Sequence, residues 1–511
     1  MTNNKVIATL CAVTTIASGC GVQAAEPPIE NKPNVLFVLI DDFGWKDVGY
    51  NGSTFYETPE LDKLSKDFMR FDRCYTPSPM CSPTRVSIMT GKNPARHGVT
   101  QWLPGKATWP NHPVAHQRVI CKVPKSPAIK NSEVTLGEAL QKVGYETAFY
   151  GKWHMGPLKK TGGPKAHGFD SQMAVIEANR CAMFYPFRGH PEYFPAAKEG
   201  DNFTDLLTNN AIEFVSKKRD KPFFLYLAHF AMHAPIASKP ELEKKFAEKA
   251  RKLSPMSEDE LKVKDSHAHQ PYNRRQQFPD YAGELATLDE NIGKLIQSLK
   301  DTGQYDNTII FITGDNGGRT AFFHSSPTAV QPLRAGKTFT FEGGLRTPLL
   351  IHWPGATKPG MHTQTSVTST DFYPTILGML GLPLQPEQHK DGVSLLPLFK
   401  DRKLSRNAMY WHFPHYQGEG SYPSSAIRQD DFKLIVNYHL KDVQLFNVVD
   451  DIGETNDLAG SMPEKVKVMR NKLMDYLKET GAHIPTDNPR YNPKAKPIPA
   501  KKAKDAKEKK K

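Results

Sequence analysis

Short apolar runs alternate with amphipathic stretches along most of the chain, and polar clusters directly follow the apolar runs. Residues 34–40 (NVLFVLI) form a continuous apolar run, which is typical of a strand buried on both faces of a parallel sheet. Further strands are predicted at 145–150, 222–230, 308–313 and 348–352. Helices are predicted at 60–70, 84–89, 136–143, 203–217, 281–299 and 370–380. This alternation predicts an α/β fold with a large mixed, mainly parallel sheet flanked by helices.

The pattern changes after about residue 407. Short alternating strands are predicted at 408–413, 432–438 and 443–447, and a helix at 464–480. They predict a smaller C-terminal antiparallel sheet plus helix. The chain of 511 residues is long enough for one large domain and a smaller one. We therefore predict an α/β domain over 32–405 and an α+β subdomain over 406–485. The charged segment 240–280 is predicted to be an insertion over the surface.

The N-terminus has the features of an export signal over residues 1–25. Lys5 is followed by an apolar stretch, residues 6–17, that is too short to span a bilayer as a stable helix. Two cleavage sites remain open. Residues 17–20 (ASGC) resemble a lipobox, which would place a lipid anchor on Cys20, whereas residues 22–24 (VQA) suit ordinary signal peptidase. The protein is expected to be exported, periplasmic or secreted, with lipoprotein anchoring as an alternative.

The net charge of +13 is unevenly distributed. Residues 492–511 contain nine lysines against Asp505 and Glu508, and offer almost nothing to bury. We predict a disordered, Lys-rich tail over 486–511. Because no aromatic side chains are interleaved with these lysines, no nucleic-acid partner is predicted. The remaining positive charge suits an anionic substrate.

The cysteines show neither a CxxC motif nor a zinc-ligand spacing. An oxidising compartment would allow one disulfide among Cys74, Cys121 and Cys181, but the pairing cannot be deduced from the sequence.

Cys81 opens the segment CSPTRVSIMTG, which has the pattern Cys-x-Pro-x-Arg-x4-Thr-Gly. Pro83 suits the first turn of a helix, so the side chain of Cys81 is predicted at a helix N-terminus, where an anion is favoured. Arg85 adds a guanidinium that is always charged and can bind an oxyanion. The alternative interpretation is a helix start with a buried cysteine.

Oxygen ligands follow two of the predicted strands. Asp41 and Asp42 come directly after 34–40, and Asp315 and Asn316 follow 308–313. The ligand crevice of such a sheet lies outside the carboxyl ends of its strands, so these side chains are expected to converge. An all-oxygen set suits Ca²⁺, or alternatively Mg²⁺, and does not suit zinc.

Cationic and imidazole side chains are predicted at the same edge. Lys152 and His154 follow the strand at 145–150, His233 follows the strand at 222–230, and Lys337 comes later in the chain. Together with Arg85 they could surround a tetrahedral, strongly negative transition state and stabilise it electrostatically.

The chain resembles the type I, formylglycine-dependent sulfatases of the alkaline phosphatase superfamily from about residue 32 to 480. The matching stretches are NVLFVLIDDFGW, CSPTRVSIMTG, GKWHMG, HAP, FITGDNGG, PLRAGKTFTFEGGLRTP, HWPG and TDFYPTIL. Thr84 stands where this family more usually has serine. The resemblance implies that a formylglycine-generating maturase oxidises Cys81 to the aldehyde that becomes the nucleophile.

The resemblance also implies roles for the other residues. The formylglycine at Cys81 would bind Ca²⁺ together with Asp41, Asp42, Asp315 and Asn316. Arg85 and Lys152 would hold the aldehyde hydrate and the sulfate, and His154 would be the base that releases sulfate. His233 and Lys337 would bind sulfate oxygens and assist the leaving alcohol.

The substrate is expected to be a sulfated carbohydrate, because the export signal and several loops resemble bacterial polysaccharide sulfatases. Sugar contacts are predicted for His97, His324, Arg334, His412 and His415. Two alternatives remain: a phosphonate or phosphate ester hydrolase of the same superfamily, and a non-catalytic glycan-binding protein with unmodified Cys81. The intact set of cations and histidines argues against the second alternative, because a binding protein does not need all of them.

Overall fold

The structure is a computed structural model and describes residues 32–103, 116–120, 128–177, 193–257, 262–263, 265–321 and 327–494. The strands of these ranges are, in chain order, β1 (Asn34–Ile40), β2 (Met69–Phe71), β3 (Cys74–Tyr75), β4 (Val119–Ile120), β5 (Glu146–Lys152), β6 (Ser171–Ile176), β7 (Phe223–His229), β8 (Lys262–Val263), β9 (Tyr272–Asn273), β10 (Thr308–Gly314), β11 (Arg346–Thr347), β12 (Leu349–His352), β13 (His362–Thr363), β14 (Val367–Thr368), β15 (Met409–Phe413), β16 (Ser424–Gln429), β17 (Phe432–Asn437), β18 (Asp442–Asn447) and β19 (Thr486–Asp487).

The α-helices within the same ranges are α1 (Pro59–Asp67), α2 (Cys81–Thr90), α3 (Pro94–His97), α4 (Leu136–Lys142), α5 (Leu158–Thr161), α6 (Phe203–Ser216), α7 (Pro240–Arg251), α8 (Pro279–Asp301), α9 (Glu342–Leu345), α10 (Phe372–Met379) and α11 (Pro463–Glu479). Their ends follow local chemistry. Thr135 and Glu138 form a capping box at the start of α4, and prolines begin α1, α8 and α11. None of these helices has both the length and the apolar character needed to cross a membrane.

The main sheet has eight strands in the order β13-β2-β12-β10-β1-β7-β5-β6. Strands β10, β1, β7, β5 and β6 are parallel neighbours, and β12 pairs antiparallel with both β10 and β2. The second large sheet, β15-β16-β17-β18, is antiparallel throughout and carries α11 on one face. This architecture confirms the predicted α/β fold with a smaller C-terminal antiparallel sheet plus helix.

Strand β1 shows how the main sheet is covered on both faces. All seven of its residues are buried. Leu36, Val38 and Ile40 enter a core that contains side chains of α6 and α8. Val35, Phe37 and Leu39 enter the opposite core, to which α2, α4 and α10 contribute. Because successive side chains of a strand point to opposite faces, a continuous apolar run is needed to serve both cores.

The structure differs from the sequence-based prediction at several places. Arg70 belongs to strand β2 and not to the first helix, which ends at Asp67. Strand β16 was not predicted. Helix α7 belongs to the segment 240–280 that was predicted as a surface insertion; most of its residues are exposed, but Phe246 is fully buried in the core that α8 shares. Strand β19 lies inside the segment predicted as a tail and pairs with β4. The predicted export signal with Cys20, and residues 495–511, lie outside the described residues.

Candidate active site

The carboxyl ends of four parallel strands place the polar clusters at one edge of the main sheet. Asp41 and Asp42 follow β1, and Asp315 and Asn316 follow β10, which is paired with β1 in a register that sets Ile40 opposite Gly314. Lys152 ends β5, and β7, which leads to His233, lies between β5 and β1. The sheet therefore brings these side chains together, as expected for the carboxyl edge of such a fold.

Cys81 is the first residue of α2, and its N-cap residue Met80 is extended. The helix thus begins before Pro83, and the cysteine lies at the helix N-terminus, where unpaired N–H groups favour an anion. Cys81 is buried, and burial raises the pKa of its thiol to about 11. A thiol with such a pKa is not ionised at neutral pH and is a poor nucleophile in its unmodified form.

The acidic residues fit a divalent cation. Asp41, Cys81 and Asp315 each offer one ligand atom, and these atoms lie within 4.8 Å of one another. Buried oxygens of Asp41 (Oδ1), Asp42 (Oδ2) and Asn316 (Oδ1) have no hydrogen-bond partner in the described part of the chain. A buried acceptor without a hydrogen-bond partner destabilises the fold unless a bound group satisfies it. Oxygen ligands are those that Ca²⁺ and Mg²⁺ prefer.

Arg85 and Lys152 hold these carboxylates from the side of α2 and β5. Arg85 donates from Nε to Asp315 Oδ2 at 2.7 Å and from Nη1 to the carbonyl of Lys152 at 2.8 Å. Lys152 Nζ forms an ion pair with Asp41 Oδ2. Burial would raise the pKa of Asp41, but Lys152, together with neighbouring cations, brings it below its ordinary value. For Asp315, burial and then the charge of Asp41 raise the pKa to about 7.

Asp42 is held by Lys337 and Asn316. Lys337 Nζ lies 2.6 Å from Asp42 Oδ1, and Asn316 Nδ2 donates to the same oxygen at 2.8 Å. Burial tends to lower the pKa of Lys337, but the charge of Asp42 raises it above its ordinary value, so the ammonium stays protonated. Asp42 itself has a left-handed backbone with φ 57°, which asparagine and aspartate adopt more readily than most other residues.

The two histidines of the centre are neutral and have defined tautomers. His154 Nε2 lies 2.7 Å from the carbonyl of Leu103, so Nε2 carries the proton. Its Nδ1 is buried without a hydrogen-bond partner in the described residues. Burial, followed by the charge of Lys152, lowers the pKa of His154 well below its ordinary value. His233 Nδ1 donates to the carbonyl of Ala234 at 2.6 Å, and burial lowers its pKa to about 4.

Four of the five residues predicted to contact sugar are hydrogen-bonded to residues outside this centre. The side chain of His97 is hydrogen-bonded to that of Ser87, His412 to Ser425, and His415 to Thr100. The guanidinium of Arg334 binds Asp265 through two hydrogen bonds of 2.7 Å and lies over Phe341, so it is already engaged within the protein. His324 lies outside the described residues. Their contact with a sugar stays a prediction.

Two contacts of the centre were not found from the sequence. Phe413, at the end of β15, packs in one buried cluster with Met80 and Cys81. Tyr226 of β7 interacts electrostatically with Arg85, and its buried hydroxyl has no hydrogen-bond partner in the described residues. Phe413 lies among several aromatic residues in the sequence, which could have indicated its contact with the centre. Tyr226 cannot be distinguished in the sequence from the other residues of an apolar strand.

Cys74 and Cys81 are free and buried. The other two cysteines considered for a disulfide, Cys121 and Cys181, lie outside the described residues.

Comparison with known proteins agrees with this site. The family model described as Sulfatase matches residues 33–382, and the model described as N-sulphoglucosamine sulphohydrolase, C-terminal, matches residues 335–482. The N-acetylgalactosamine-6-sulfatase of Homo sapiens is 30% identical over 412 residues, which cover 77% of this chain and 70% of the human protein. A sulfatase of Formosa agariphila is 28% identical over 88% of this chain and 90% of its own.

Among solved structures, Ps i-CgsB in complex with k-i-k-neocarrahexaose is similar, with a TM-score of 0.69 and 28% identity. The similarity covers 88% of this chain and 93% of that chain. The sulfatase model spans more than half of the chain and includes the Cys81 segment and both acidic clusters. The chain therefore belongs to the sulfatase family and is a sulfuric ester hydrolase.

Proposed function

We propose that the protein is an exported sulfatase that removes sulfate from a sulfated carbohydrate, with a formylglycine made from Cys81 and one divalent cation. The observation that carries this proposal is the position of Cys81. It begins α2 within 4.8 Å, atom to atom, of ligand atoms of Asp41 and Asp315, and it faces buried cations. The names of similar proteins, N-acetylgalactosamine-6-sulfatase and a protein in complex with k-i-k-neocarrahexaose, support a carbohydrate substrate.

The oxygens of Asp41, Asp42, Asp315 and Asn316 would hold the cation, preferably Ca²⁺, with Mg²⁺ as the alternative. When bound, such a cation supplies Lewis-acid stabilisation of negative oxygen, and a formylglycine supplies the hydroxyl group of its hydrate as nucleophile. Arg85 and Lys152 would stabilise the charge on the sulfate oxygens. Both side chains are already fixed by Asp315 and Asp41, so little reorganisation is needed in the transition state.

His154 is the base in this proposal. Its Nε2 proton is committed to the carbonyl of Leu103, so the lone pair of the neutral ring is on Nδ1. Because the pKa of His154 is held low by burial and by Lys152, the ring is not protonated before the reaction. Nδ1 can therefore take a proton when sulfate is released.

Lys337 is the group that protonates the leaving alcohol in this proposal. It stays charged beside Asp42, and its ammonium carries three protons that can be donated. His233 is less suited to this step, because its Nδ1 proton is used by the carbonyl of Ala234 and its low pKa leaves Nε2 unprotonated. In our proposal His233 accepts a hydrogen bond through Nε2.

Mass spectrometry and an activity assay test the proposal together. The protein produced with a formylglycine-generating maturase should carry an aldehyde at Cys81 and should release sulfate from sulfated oligosaccharides. The Cys81→Ala variant, which cannot be converted, should be folded but inactive. An active preparation in which every molecule retains the thiol would refute the formylglycine, and activity on phosphate esters alone would refute the substrate class.

A further inference from the structure

The side chains of the catalytic centre are not equally enclosed. Those of Arg85 and Asp315 are at most 1% exposed. Those of Lys337 and His233 retain 5% and 13%, and they lie 2.6 and 3.8 Å from Asp42. The centre therefore opens on the side of Lys337 and His233. The alcohol part of a sulfate ester, which is larger than the sulfate group, has to lie on this open side.

Arg319 and Glu419 form an ion pair beside this opening. Arg319 Nε lies 3.5 Å from Glu419 Oε1, and both side chains are 12% exposed. Arg319 directly follows Gly318, whose carbonyl accepts a hydrogen bond from the backbone N–H of Lys337 at 2.9 Å. The two segments are in close contact, because a Cβ atom on Gly336 would lie 2.4 Å from that carbonyl oxygen. Arg319 therefore brings Glu419 to the side of the centre on which Lys337 lies.

Glu419 also interacts electrostatically with Lys337. Burial tends to lower the pKa of Lys337, and the carboxylates that raise it are those of Asp42, Asp41 and then Glu419. The first two are candidate ligands of the cation, whereas Glu419 comes from the C-terminal part of the chain. Lys337 is the proposed proton donor to the leaving alcohol. Glu419 therefore lies on the side of the sugar and not on the side of the metal.

The loop between β15 and β16 holds Glu419 in place. It starts after Phe413, which packs in one buried cluster with Cys81. Near its other end, the backbone N–H of His269 donates to the carbonyl of Gly420 at 2.9 Å. Because the loop is fixed on both sides of Glu419, its carboxylate can meet a ligand with little loss of conformational freedom.

The carboxylate of Glu419 has unused capacity to accept hydrogen bonds. A carboxylate offers about four acceptor positions. Its contact with Arg319, at 3.5 Å, is longer than a usual N–H···O hydrogen bond, and no group of the described residues donates a hydrogen bond to it. A sugar hydroxyl is a suitable donor, whereas a second sulfate group on the sugar would bring two negative charges together.

We propose that Glu419 is a specificity-determining residue, which accepts a hydrogen bond from a free hydroxyl of the sugar unit that carries the sulfate ester. It would disfavour a sugar unit with a second anionic group at that place. Arg319 would hold the carboxylate in position. The inference rests on the carbohydrate substrate proposed above and adds which neighbours of the ester are recognised and which are rejected.

Glu419→Gln tests this role, and Glu146→Gln is a matched control. Glu146 also pairs with an arginine Nε, that of Arg219 at 2.8 Å, but it begins β5, whereas Lys152 ends that strand at the catalytic centre. Four substrates are compared: a carbohydrate sulfate with free hydroxyls next to the ester, its analogue with hydrogen in place of these hydroxyls, its analogue with a second sulfate on one of them, and an aryl sulfate.

The expected changes differ between the substrates. For Glu419→Gln, kcat/KM on the first substrate should fall about tenfold or more, as expected for a weakened hydrogen bond to a charged group. On the deoxygenated analogue and the aryl sulfate it should fall by at most about threefold, because only the charge near Lys337 changes. On the disulfated analogue it should rise, because the repulsion between like charges is removed. Ratios between substrates within one variant do not depend on the fraction of folded protein.

A residue that merely supports Arg319 or Lys337 would give a different result. Equal losses on all four substrates, or a loss on the disulfated analogue, would refute the proposed role of Glu419. The same pattern of changes in Glu146→Gln, for which we expect unchanged ratios, would also refute it. If the unaltered enzyme released sulfate from the aryl sulfate but from no carbohydrate sulfate, the proposed substrate class would fail, and the role of Glu419 with it.

Discussion

Lys433 is the centre of a fully buried ion cluster between the main domain and the C-terminal sheet. Its Nζ lies 2.9 Å from Glu342 Oε1 and 3.0 Å from Glu454 Oε1. Glu342 also binds Arg346 and the hydroxyl of Tyr75. We expect Lys433→Met to destabilise the protein by about 3–5 kcal/mol, because removing one partner of a buried pair leaves an uncompensated charge.

The loss of stability caused by Lys433→Met should depend on pH in a defined direction. Burial raises the pKa of Glu454 to about 7, although Lys433 opposes this shift. The folded protein then holds a proton that the unfolded chain releases, so stability falls as the pH rises from 4.5 through about 7. Without Lys433 the pKa of Glu454 rises further, and the decrease in stability with rising pH extends to higher pH. The Lys433→Met penalty should therefore be smaller near about pH 5, where only Glu342 has lost a charged partner, and complete near about pH 8.

The assay is denaturant unfolding of both proteins across this pH range. Lys294→Met is a matched control, because Lys294 has the same charge but forms an exposed i,i+4 pair with Glu290. Its loss should cost roughly 0.3–0.5 kcal/mol at any pH in this range. A penalty for Lys433→Met below about 1 kcal/mol near about pH 8, or one that grows as the pH falls, would refute the electrostatic reasoning.

Three further predictions concern the centre, the substrate and the core. Asp315→Asn should lower kcat on an aryl sulfate at least about 100-fold, because the nucleophile and Arg85 both lose a charged partner. The circular dichroism spectrum should be unchanged, and a near-normal kcat would contradict the role of Asp315 in the active site. His415→Ala should lower kcat/KM for a carbohydrate sulfate more than for an aryl sulfate, whereas equal losses would indicate a role in folding. Phe246→Ala should destabilise the protein by about 3–5 kcal/mol in denaturant unfolding, and an unchanged midpoint would show that α7 is not part of the core.

The local sequence was sufficient to predict those helices and strands whose pattern of apolar and polar residues has only one structural interpretation. Strands β1 and β10 are mostly apolar and are buried throughout, so their existence and burial were both predictable. The start of α4 was predictable because Thr135 caps it through its own side chain. The order of the strands was not predictable, because pairing of β1 with both β7 and β10 joins segments that are distant along the chain.

The missed elements depend on their surroundings. Strand β16 (SSAIRQ) contains two serines and an arginine, and it becomes a strand because β15 and β17 pair with it on both sides. Seven of the twelve residues of helix α7 (PELEKKFAEKAR) are charged, and one aromatic residue, Phe246, packs it against the core. The charged residues of the catalytic centre could be predicted from their positions at the ends of the strands. The proximity of Tyr226 and Phe413 to this centre is known only from the structure, because it depends on tertiary packing.

The charges of the centre explain why a cation and an anion belong there together. Three buried carboxylates, Asp41, Asp42 and Asp315, face three buried cations, Arg85, Lys152 and Lys337. This set is close to neutral, so a divalent cation alone would leave an excess of positive charge in a buried site, which is unfavourable. An anionic sulfate ester would restore the balance. The same cations that secure the carboxylates therefore favour a substrate with negative charge when the metal is bound, and this coupling predicts that the cation and the sulfate ester bind cooperatively.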